Sequence, residues 1–335
     1  MQLTVIIPAR NEQQNLPDCL HSLLAQDEEI FRLGRDWELI VVDDHSSDET
    51  RAVVKQFPGV TLLSAPELPK GWTGKANACW TGTQQAKGNS LLFTDADTIH
   101  EPGDLRRALH EAERHHADLL SYSPRQIVSG VLMRAVMPLI FADLARAYPP
   151  EKVNNPDSRI AAANGQFLLI SREAYFAIGG HKAVADKVLE DVELATLAKK
   201  RHRSLRFRYA PDALSTRMYR TIAQMVEGWT KNLALLFPRP LGLVAWKVLD
   251  LILLIGLPVA AWYVPLLFQK IAILLLWGRQ IWRYFRQVAR SNFSAGDCLL
   301  SVLGLPLYIW LLWNSWLRRH VFRAVSWKGR NYSFR

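Results

Sequence analysis

The chain is 335 residues long, enough for one large domain or two ordinary ones with a full core. Hydrophobic residues make up 49%, unevenly spread: the first two-thirds alternates apolar and charged segments as soluble proteins do, whereas Leu241 to Leu317 is largely apolar and rich in Trp and Leu. The net charge of +10 gathers in two clusters beside apolar runs (Arg279, Arg283, Arg286 and Arg290; then Arg318, Arg319, Arg323, Lys328, Arg330 and Arg335), which disfavours nucleic acid and favours the anionic cytoplasmic leaflet of a membrane.

Leu3 to Ile7 is a short apolar run ended by Pro8 and reads as a buried strand. A helical pattern opens at Asn11 or Glu12 and runs through Leu16, Leu20, Leu23 and Leu24. Trp37 to Val42 is a second buried strand, Asp48 to Thr50 caps a second helix, and Val60 to Ser64 is a third strand. A loop from Pro66 to Gly74 leads into a helix over about Lys75 to Ala86, followed by a strand at Ser90 to Thr94. Continuous apolar strands alternating with helices imply a mostly parallel α/β sheet covered on both faces. In such sheets ligands bind beyond the carboxyl ends of the strands, so the residues just after each strand matter most.

A helix is expected over about Gly103 to His116, then a strand at Ala117 to Ser121. Ser129 to Tyr148 is apolar but bears Arg134, Asp143 and Arg146, and suits a core helix or one in the membrane interface. Ile160 to Ser171 reads as strand, followed by a helix to Ile178 that stops at Gly179-Gly180. Leu189 to Lys200 is helical, with strands at Leu205 to Tyr209 and Ala213 to Arg217. Val248 to Trp277 is longer than one bilayer needs, at about 1.5 Å per residue against ~30 Å of hydrocarbon, and Pro258 and Pro265 are expected to break it into two short helices. Cys298 to Leu317 fits one span.

These patterns predict a cytoplasmic α/β domain over 1–240, with 129–148 as its interfacial candidate, then membrane-embedded helices over 241–320 and a basic cytoplasmic tail over 321–335. Cys19, Cys79 and Cys298 are odd in number and far apart, fitting neither a disulfide framework nor a metal spacing, so a reducing compartment is expected. The opening MQLTVIIPAR lacks the plan of a signal peptide. The expectation is a multi-pass protein of the cell membrane with its α/β domain in the cytoplasm.

Three acidic sites carry the chemistry: Asp43-Asp44 after the second strand, Asp95-Ala96-Asp97 after the fourth, and Glu190-Asp191 at a helix start. In extended backbone, positions i and i+2 point the same way, so Asp95 and Asp97 can face one site. Paired carboxylates are hard oxygen ligands suited to Mg2+ or Mn2+, and such an ion can hold a diphosphate. A lone pair of this kind is more often a turn; Asp43-Asp44 on a neighbouring strand raises the functional reading. Pro8-Ala9-Arg10-Asn11-Glu12 follows the first strand in place of a glycine-rich loop, which disfavours a dinucleotide oxidoreductase. Gly71-Trp72-Thr73-Gly74-Lys75 ahead of a helix suits phosphate binding by backbone N–H groups and the Lys75 charge, although turn-plus-cap explains it as well. Glu190 and Asp191 suit a helix dipole, and Asp191 suits a general base. His181, just before that pair, is placed on the acceptor side with Trp72.

In order along the chain, Val5 to Glu12, Val41 to Asp48, Thr94 to Asp97 and Glu190-Asp191 resemble the motif series of glycosyltransferase family 2 over about residues 1–235. The resemblance implies a GT-A fold: a Rossmann-like mixed, mostly parallel sheet with helices on both faces, here with C-terminal membrane helices. It further implies inverting chemistry on a nucleotide-diphosphate sugar. Residue by residue it puts Asp43 or Asp44 on the nucleoside, Asp95 near the ribose and metal, Asp97 on the metal and Asp191 as the base; Pro8, Arg10, Glu12 and Lys75 are expected with Asp43, Asp44 and Asp95 on the nucleotide sugar, and Glu190 beside Asp191 at the catalytic step. Gly71 to Lys75 and Trp327 to Tyr332 resemble the branch of hopanoid-associated and carotenoid glycosyltransferases, whose acceptors are polyisoprenoid-type lipids. Processive members carry QxxRW after the base; here Gln224 to Trp229 has Glu227 and Gly228 at the expected pair, so single-sugar transfer is expected, with Trp229 at the acceptor side or simply buried. The competing readings are a polyprenyl-phosphate sugar synthase and an inactive membrane scaffold that kept the nucleotide fold.

Overall fold

The computed structural model describes the backbone of residues 1–327 and 330–333 and the side chains of residues 1–324. The expected tail at 321–335, and the Trp327 to Tyr332 resemblance with it, lie in part outside the described residues. The chain divides into two compact units, Met1–Ile127 with Pro150–Met218, and Val128–Pro149 with Tyr219–Arg335. Residues 129–148 and 219–240 thus fall in the second unit.

The first unit opens with β1 (Leu3–Ala9), α1 (Leu16–Leu24), β2 (Trp37–Asp43), α2 (Thr50–Val54), β3 (Val60–Ser64), α3 (Gly74–Gln85) and β4 (Ser90–Phe93). There follow β5 (Thr98–His100), α4 (Asp104–Arg114), β6 (Leu119–Ser123) and β7 (Arg125–Gln126). Helix α5 (Val131–Ala147) belongs to the second unit. The first resumes with α6 (Pro150–Val153), β8 (Leu168–Ser171), α7 (Arg172–Ala177), α8 (Gly180–Ala183), α9 (Glu190–Lys200), β9 (Leu205–Tyr209) and β10 (Leu214–Thr216).

The main sheet has the order β3-β2-β1-β4-β8-β6-β9. Strands β3, β2, β1 and β4 run parallel, β8 runs antiparallel to both β4 and β6, and β9 is parallel to β6. The direction of β8 has a consequence for the site. Because Phe93 pairs with Leu168, the turn that enters β8 lies at the same rim as the residues that leave β4. A small sheet, β5-β10-β7, packs its own ladder beyond β4.

Period-two alternation splits the core. Leu3, Val5 and Ile7 of β1 join Leu39 and Val41 of β2 against Leu16, Cys19, Leu20 and Leu23 of α1. The opposite face receives α3. A Cβ at Gly82 would stand 2.6 Å from Ile6 Cγ2 and 3.1 Å from Val42 Cγ2, so the missing side chain lets α3 seat directly on the sheet.

Several boundaries differ from the sequence reading; the first helix begins at Leu16 and not at Asn11 or Glu12, because Glu12 to Asn15 form a turn in which Glu12 O accepts from Asn15 N and Leu16 N. Strand β1 continues through Pro8, whose missing N–H falls beyond Ile6, where pairing to β4 has ended. The strand expected over 160–171 is confined to Leu168–Ser171, since Asn164-Gly165 makes a turn bridging to Phe167. Pro258 lies inside a helix, and only the segment around Pro265 breaks it.

The second unit holds α5 with α10 (Ile222–Leu236), α11 (Pro240–Tyr263), α12 (Leu267–Val288) and α13 (Ala295–His320), then a β-hairpin of Ala324–Trp327 and Arg330–Ser333. α13 approaches α5 closely because Gly304 has no side chain: a Cβ there would be 2.3 Å from Ala135 O. Among the described residues, Pro240–Tyr263 and Ala295–His320 are long and apolar enough to cross a membrane.

Candidate active site

The loops after β1 and β2 are laced together at the carboxyl rim of the sheet. Arg10 donates from Nη1 to the carbonyls of Asp44 (2.7 Å) and His45 (3.1 Å). Asn11 takes the left-handed conformation (φ 54°), as does His45 (φ 54°), a region that Asn and His enter more readily than most residues. In return Asn11 N donates to Ser46 Oγ (3.0 Å), Asn11 Oδ1 accepts from Ser47 N (2.8 Å), and Glu12 N donates to Thr50 Oγ1 (2.8 Å). Much of both motifs therefore holds the rim rigid.

Asp43 is buried, its Oδ1 accepting from Ser46 N (3.2 Å) and its Oδ2 meeting Arg51 Nη1 at 3.1 Å. Arg51 also reaches Ser64 Oγ at 2.7 Å, tying β2 to β3. Asp44 is buried beside it, with its backbone N–H donated to Ala9 O (2.8 Å).

Across β1, the start of α3 supplies the central cation. Thr73 caps this helix by accepting from Ala76 N (3.3 Å), and its own N–H donates to Ala185 O (2.7 Å), which fixes the loop that contains the half-buried Trp72. Lys75 Nζ then lies 2.8 Å from Asp95 Oδ1 and 2.9 Å from Glu190 Oε1. Asp191 follows on the first turn of α9, with Oδ1 accepting from Val192 N (2.8 Å) and Oδ2 from Gly165 N (2.7 Å). Four charged groups from α3, the β4 exit and α9 thus meet at one point, and the turn into β8 closes over them. A Cβ on Gly165 would be 2.7 Å from Lys75 Nζ, 3.4 Å from Asp191 Oδ2 and 3.5 Å from Glu190 Oε1.

The electrostatics follow from this crowding. Burial pushes the Asp191 carboxyl up to about 6, and the neighbouring Glu190 charge adds to the shift, while Lys75 opposes it. Burial lowers the Lys75 ammonium, but Asp95, Glu190 and Asp191 together hold it well above the usual lysine range. The Cys79 thiol, one turn along α3, is raised by burial, lowered by Lys75, and raised again by Glu190, Asp95 and Asp44. Asp44 therefore acts on the same helix as the central cluster.

Asp97 stands two residues beyond Asp95. Its carbonyl accepts from Thr216 Oγ1 (3.2 Å) and Arg217 N (3.3 Å), which ties the β4 exit to β10. Among the described residues no group of three or more His, Cys, Asp or Glu side chains is gathered to hold a metal ion. The pair expected to hold the metal is Asp95, whose carboxylate meets Lys75, and Asp97. Such a pair fits Mg2+ or Mn2+ only where a diphosphate completes the shell, the usual manner of Mg2+ in phosphate sites.

His181, expected on the acceptor side, is 2% exposed. Its Nδ1 bonds the Tyr175 hydroxyl (2.8 Å), its ring packs on Phe93 (4.6 Å), and burial first, then Lys75, lowers its pKa to about 3. It supports the cluster from behind as a neutral packing ring and does not face an acceptor. Trp229 is 3% exposed inside the second unit, against Phe141, Tyr219 and Met137 Sδ. Sequence reading missed Gly165 and Gln166. Gln166 O accepts from Thr94 Oγ1 (2.8 Å) and its Nε2 donates to Thr216 Oγ1 (2.9 Å), joining the β4 exit to β10. The Asn164-Gly165 pair was a turn signal inside an apolar run.

A mainly parallel sheet with acids and one lysine gathered at its carboxyl rim, and helices on both faces, is the GT-A fold of glycosyltransferases. A mannosyltransferase from Pyrobaculum calidifontis, solved in complex with GDP-Man and Mn2+, shares it with a TM-score of 0.52 at 17% identity, over 96% of this chain and 88% of that one. Residues 4–178 match Glycosyl transferase family 2, and the chain belongs to that family. The chain is 28% identical to 4,4'-diaponeurosporenoate glycosyltransferase of Staphylococcus aureus (strain USA300), over 99% of this chain and 88% of the relative. S. aureus TarS is similar at 14% identity and a TM-score of 0.48, over 99% of this chain and 60% of that one.

Proposed function

We propose that this family 2 glycosyltransferase moves a single sugar from a nucleotide-diphosphate sugar, a UDP-hexose, to a hydroxyl or carboxyl of an isoprenoid-type membrane lipid, inverting the anomeric configuration. The observation that carries the reading is the meeting of Lys75, Asp95, Glu190 and the doubly anchored Asp191 at the carboxyl rim. The relative named for diaponeurosporenoate supports an acceptor of the carotenoid class, and the apolar helices α11 and α13 support attachment to a membrane.

In this reading Asp43, Asp44 and the β1 exit (Pro8, Arg10 and Glu12) line the nucleoside end, and Lys75 faces the diphosphate. Where the acceptor is a hydroxyl, its oxygen gives its proton to Asp191 while it bonds to the anomeric carbon; a carboxylate acceptor attacks already ionised and needs no base. The bond from that carbon to the diphosphate oxygen breaks on the opposite face, and the electron pair leaves with the nucleoside diphosphate. Lys75 meets the charge that develops there, released by the phosphates from its pairing with Asp95 and Glu190. With a pKa of about 6, Asp191 is ionised at neutral pH yet basic enough to accept the proton. Asp97 and Asp95 would hold Mg2+ or Mn2+, which when bound neutralises diphosphate charge.

Two measurements test this. Calorimetry of the purified protein with UDP-sugars, with and without chelator, should show binding that needs the metal; no binding in either condition refutes the transferase reading and favours an inactive scaffold. Mass spectrometry of membrane lipids from cells with and without the protein should show a hexosylated lipid. On that lipid Asp191→Asn separates acceptors: a hydroxyl predicts near-total loss, whereas a phosphate or carboxylate, already ionised, retains substantial turnover.

A further inference from the structure

Helix α13 is long and apolar enough to cross a membrane, as α11 is. Its surroundings within the second unit do not suit hydrocarbon. Polar contacts recur along its whole length. At its start Asp297 Oδ1 pairs with Arg134 Nε at 2.6 Å, and a turn later Ser301 Oγ meets Tyr284 Oη at 2.9 Å. At its middle Tyr308 donates to Asp143 Oδ2 (2.9 Å), which Lys247 Nζ also meets at 2.9 Å. Towards its end Asn314 Nδ2 donates to Thr230 Oγ1 (3.1 Å), Ser315 Oγ accepts from Ala234 N (2.8 Å), and Arg319 donates to Ala234 O.

Two of the charges involved are open to the surroundings. The Arg134 side chain is 44% exposed, and that of Arg146, 3.7 Å from Asp143, is 49% exposed. Were α13 to cross a bilayer, Arg146 would face the lipid tails near the level of Tyr308, at mid-depth, where an arginine is most costly. The outward face of α13 is of another kind. Leu299, Leu303, Pro306, Trp310 and Trp313 are exposed and recur every three or four residues, so they form one stripe. A single apolar stripe bearing tryptophans, with Arg318 and Arg319 at its end, is the pattern of a helix that rests in the headgroup boundary.

We infer that α13 lies in the plane of the membrane surface with this stripe facing the acyl chains, and that it does not cross. The inference rests on the membrane attachment proposed above. The part of the second unit that enters the bilayer is the hairpin of α11 and α12. These helices run antiparallel: Arg283 stacks on Trp246 (4.6 Å), Gln280 Nε2 donates to Asp250 (3.0 Å), and Trp277 Nε1 donates to Leu254 O (3.0 Å). Their joined ends are open and mostly apolar, with Trp262 82% and Tyr263 79% exposed, and among the described residues Lys270 in the first turn of α12 is the one charge near the tip. Because α12 returns to the level from which α11 set out, α13 begins on the side where the hairpin entered. Lying flat, it also ends there.

The full-length protein carrying Gly296→Cys or His320→Cys tests this in cells. Both positions are exposed, a Cβ at Gly296 meets nothing closer than 3.8 Å, and the three native thiols are buried, so the parent chain is the blank. The two sites are separated along the helix by about 36 Å, more than the ~30 Å hydrocarbon core. A membrane-impermeant maleimide should label both in inside-out vesicles and neither in intact cells. Labelling of the two from opposite sides overturns the in-plane placement and leaves membrane attachment standing. Failure of the protein to sediment with membranes overturns both. A fluorophore on Leu303→Cys in phosphatidylethanolamine–phosphatidylglycerol vesicles should be quenched more by bromines near the headgroups than by bromines at the chain ends; the reverse order refutes the inference.

Discussion

Gly165→Ala separates the chemistry of the rim from its stability. The residue is not in the left-handed region, so alanine fits its backbone. The added methyl would stand 2.7 Å from Lys75 Nζ, and ordinary contact begins near 3.4 Å, so the ammonium must retreat by about 0.7 Å. Nζ is the far end of a flexible chain, and the alanine N–H still donates to Asp191, so the fold is little affected. A stability change of about 0.5 kcal/mol or less, and hence a Tm within about 2 °C, is expected. Catalysis is less tolerant, because a misplacement of about 1 Å at a reacting centre costs up to ~100-fold. We therefore expect kcat/KM for sugar transfer to fall about 10- to 100-fold. The added methyl should cost almost nothing once Lys75 is replaced by alanine, since the two changes share one cause. A Gly165→Ala protein that melts normally and transfers sugar within twofold of wild type would refute the reasoning.

The remaining predictions concern the same rim. With a hydroxyl acceptor Asp191 must be ionised to act as a base, and its pKa is raised to about 6, so kcat/KM should fall about tenfold per unit as pH drops below that value; a flat profile from pH 5 to 7 with such an acceptor contradicts the assignment. Lys75 lowers the Asp191 pKa, so Lys75→Gln should move that limb to higher pH as well as weaken donor binding, both measurable from initial rates across a pH series. Arg51→Ala leaves the buried Asp43 carboxylate without its cation. Since the Arg51 side chain is 44% exposed, the expected loss is about 1–2 kcal/mol rather than the larger cost of a fully buried pair, read by denaturant melts. Chelation should abolish transfer and added Mn2+ or Mg2+ restore it, while Asp97→Asn should raise the metal concentration needed for half-maximal rate about 10-fold or more.

The sequence by itself determined the local and the periodic. Apolar runs of strand length alternating with helices implied a mostly parallel sheet covered on both faces, because such an arrangement buries both sides of these strands. The acids at strand ends then had to lie on one rim, and Asp95, Glu190, Asp191 and Lys75 do meet there. Resemblance of the ordered motifs named the family that residues 4–178 match. Tertiary structure decided what depends on direction and close approach. Only the antiparallel course of β8 brings Gly165 over Lys75, since a turn signal does not say at which rim its strand begins. The same limit governs His181, whose place before Glu190 suggested access, while the packing of Tyr175 and Phe93 buries it. It also governs α13: hydropathy averages around a helix, so an apolar segment looks alike whether lipid surrounds it or, as here, Arg134, Asp143 and Thr230 hold one side of it.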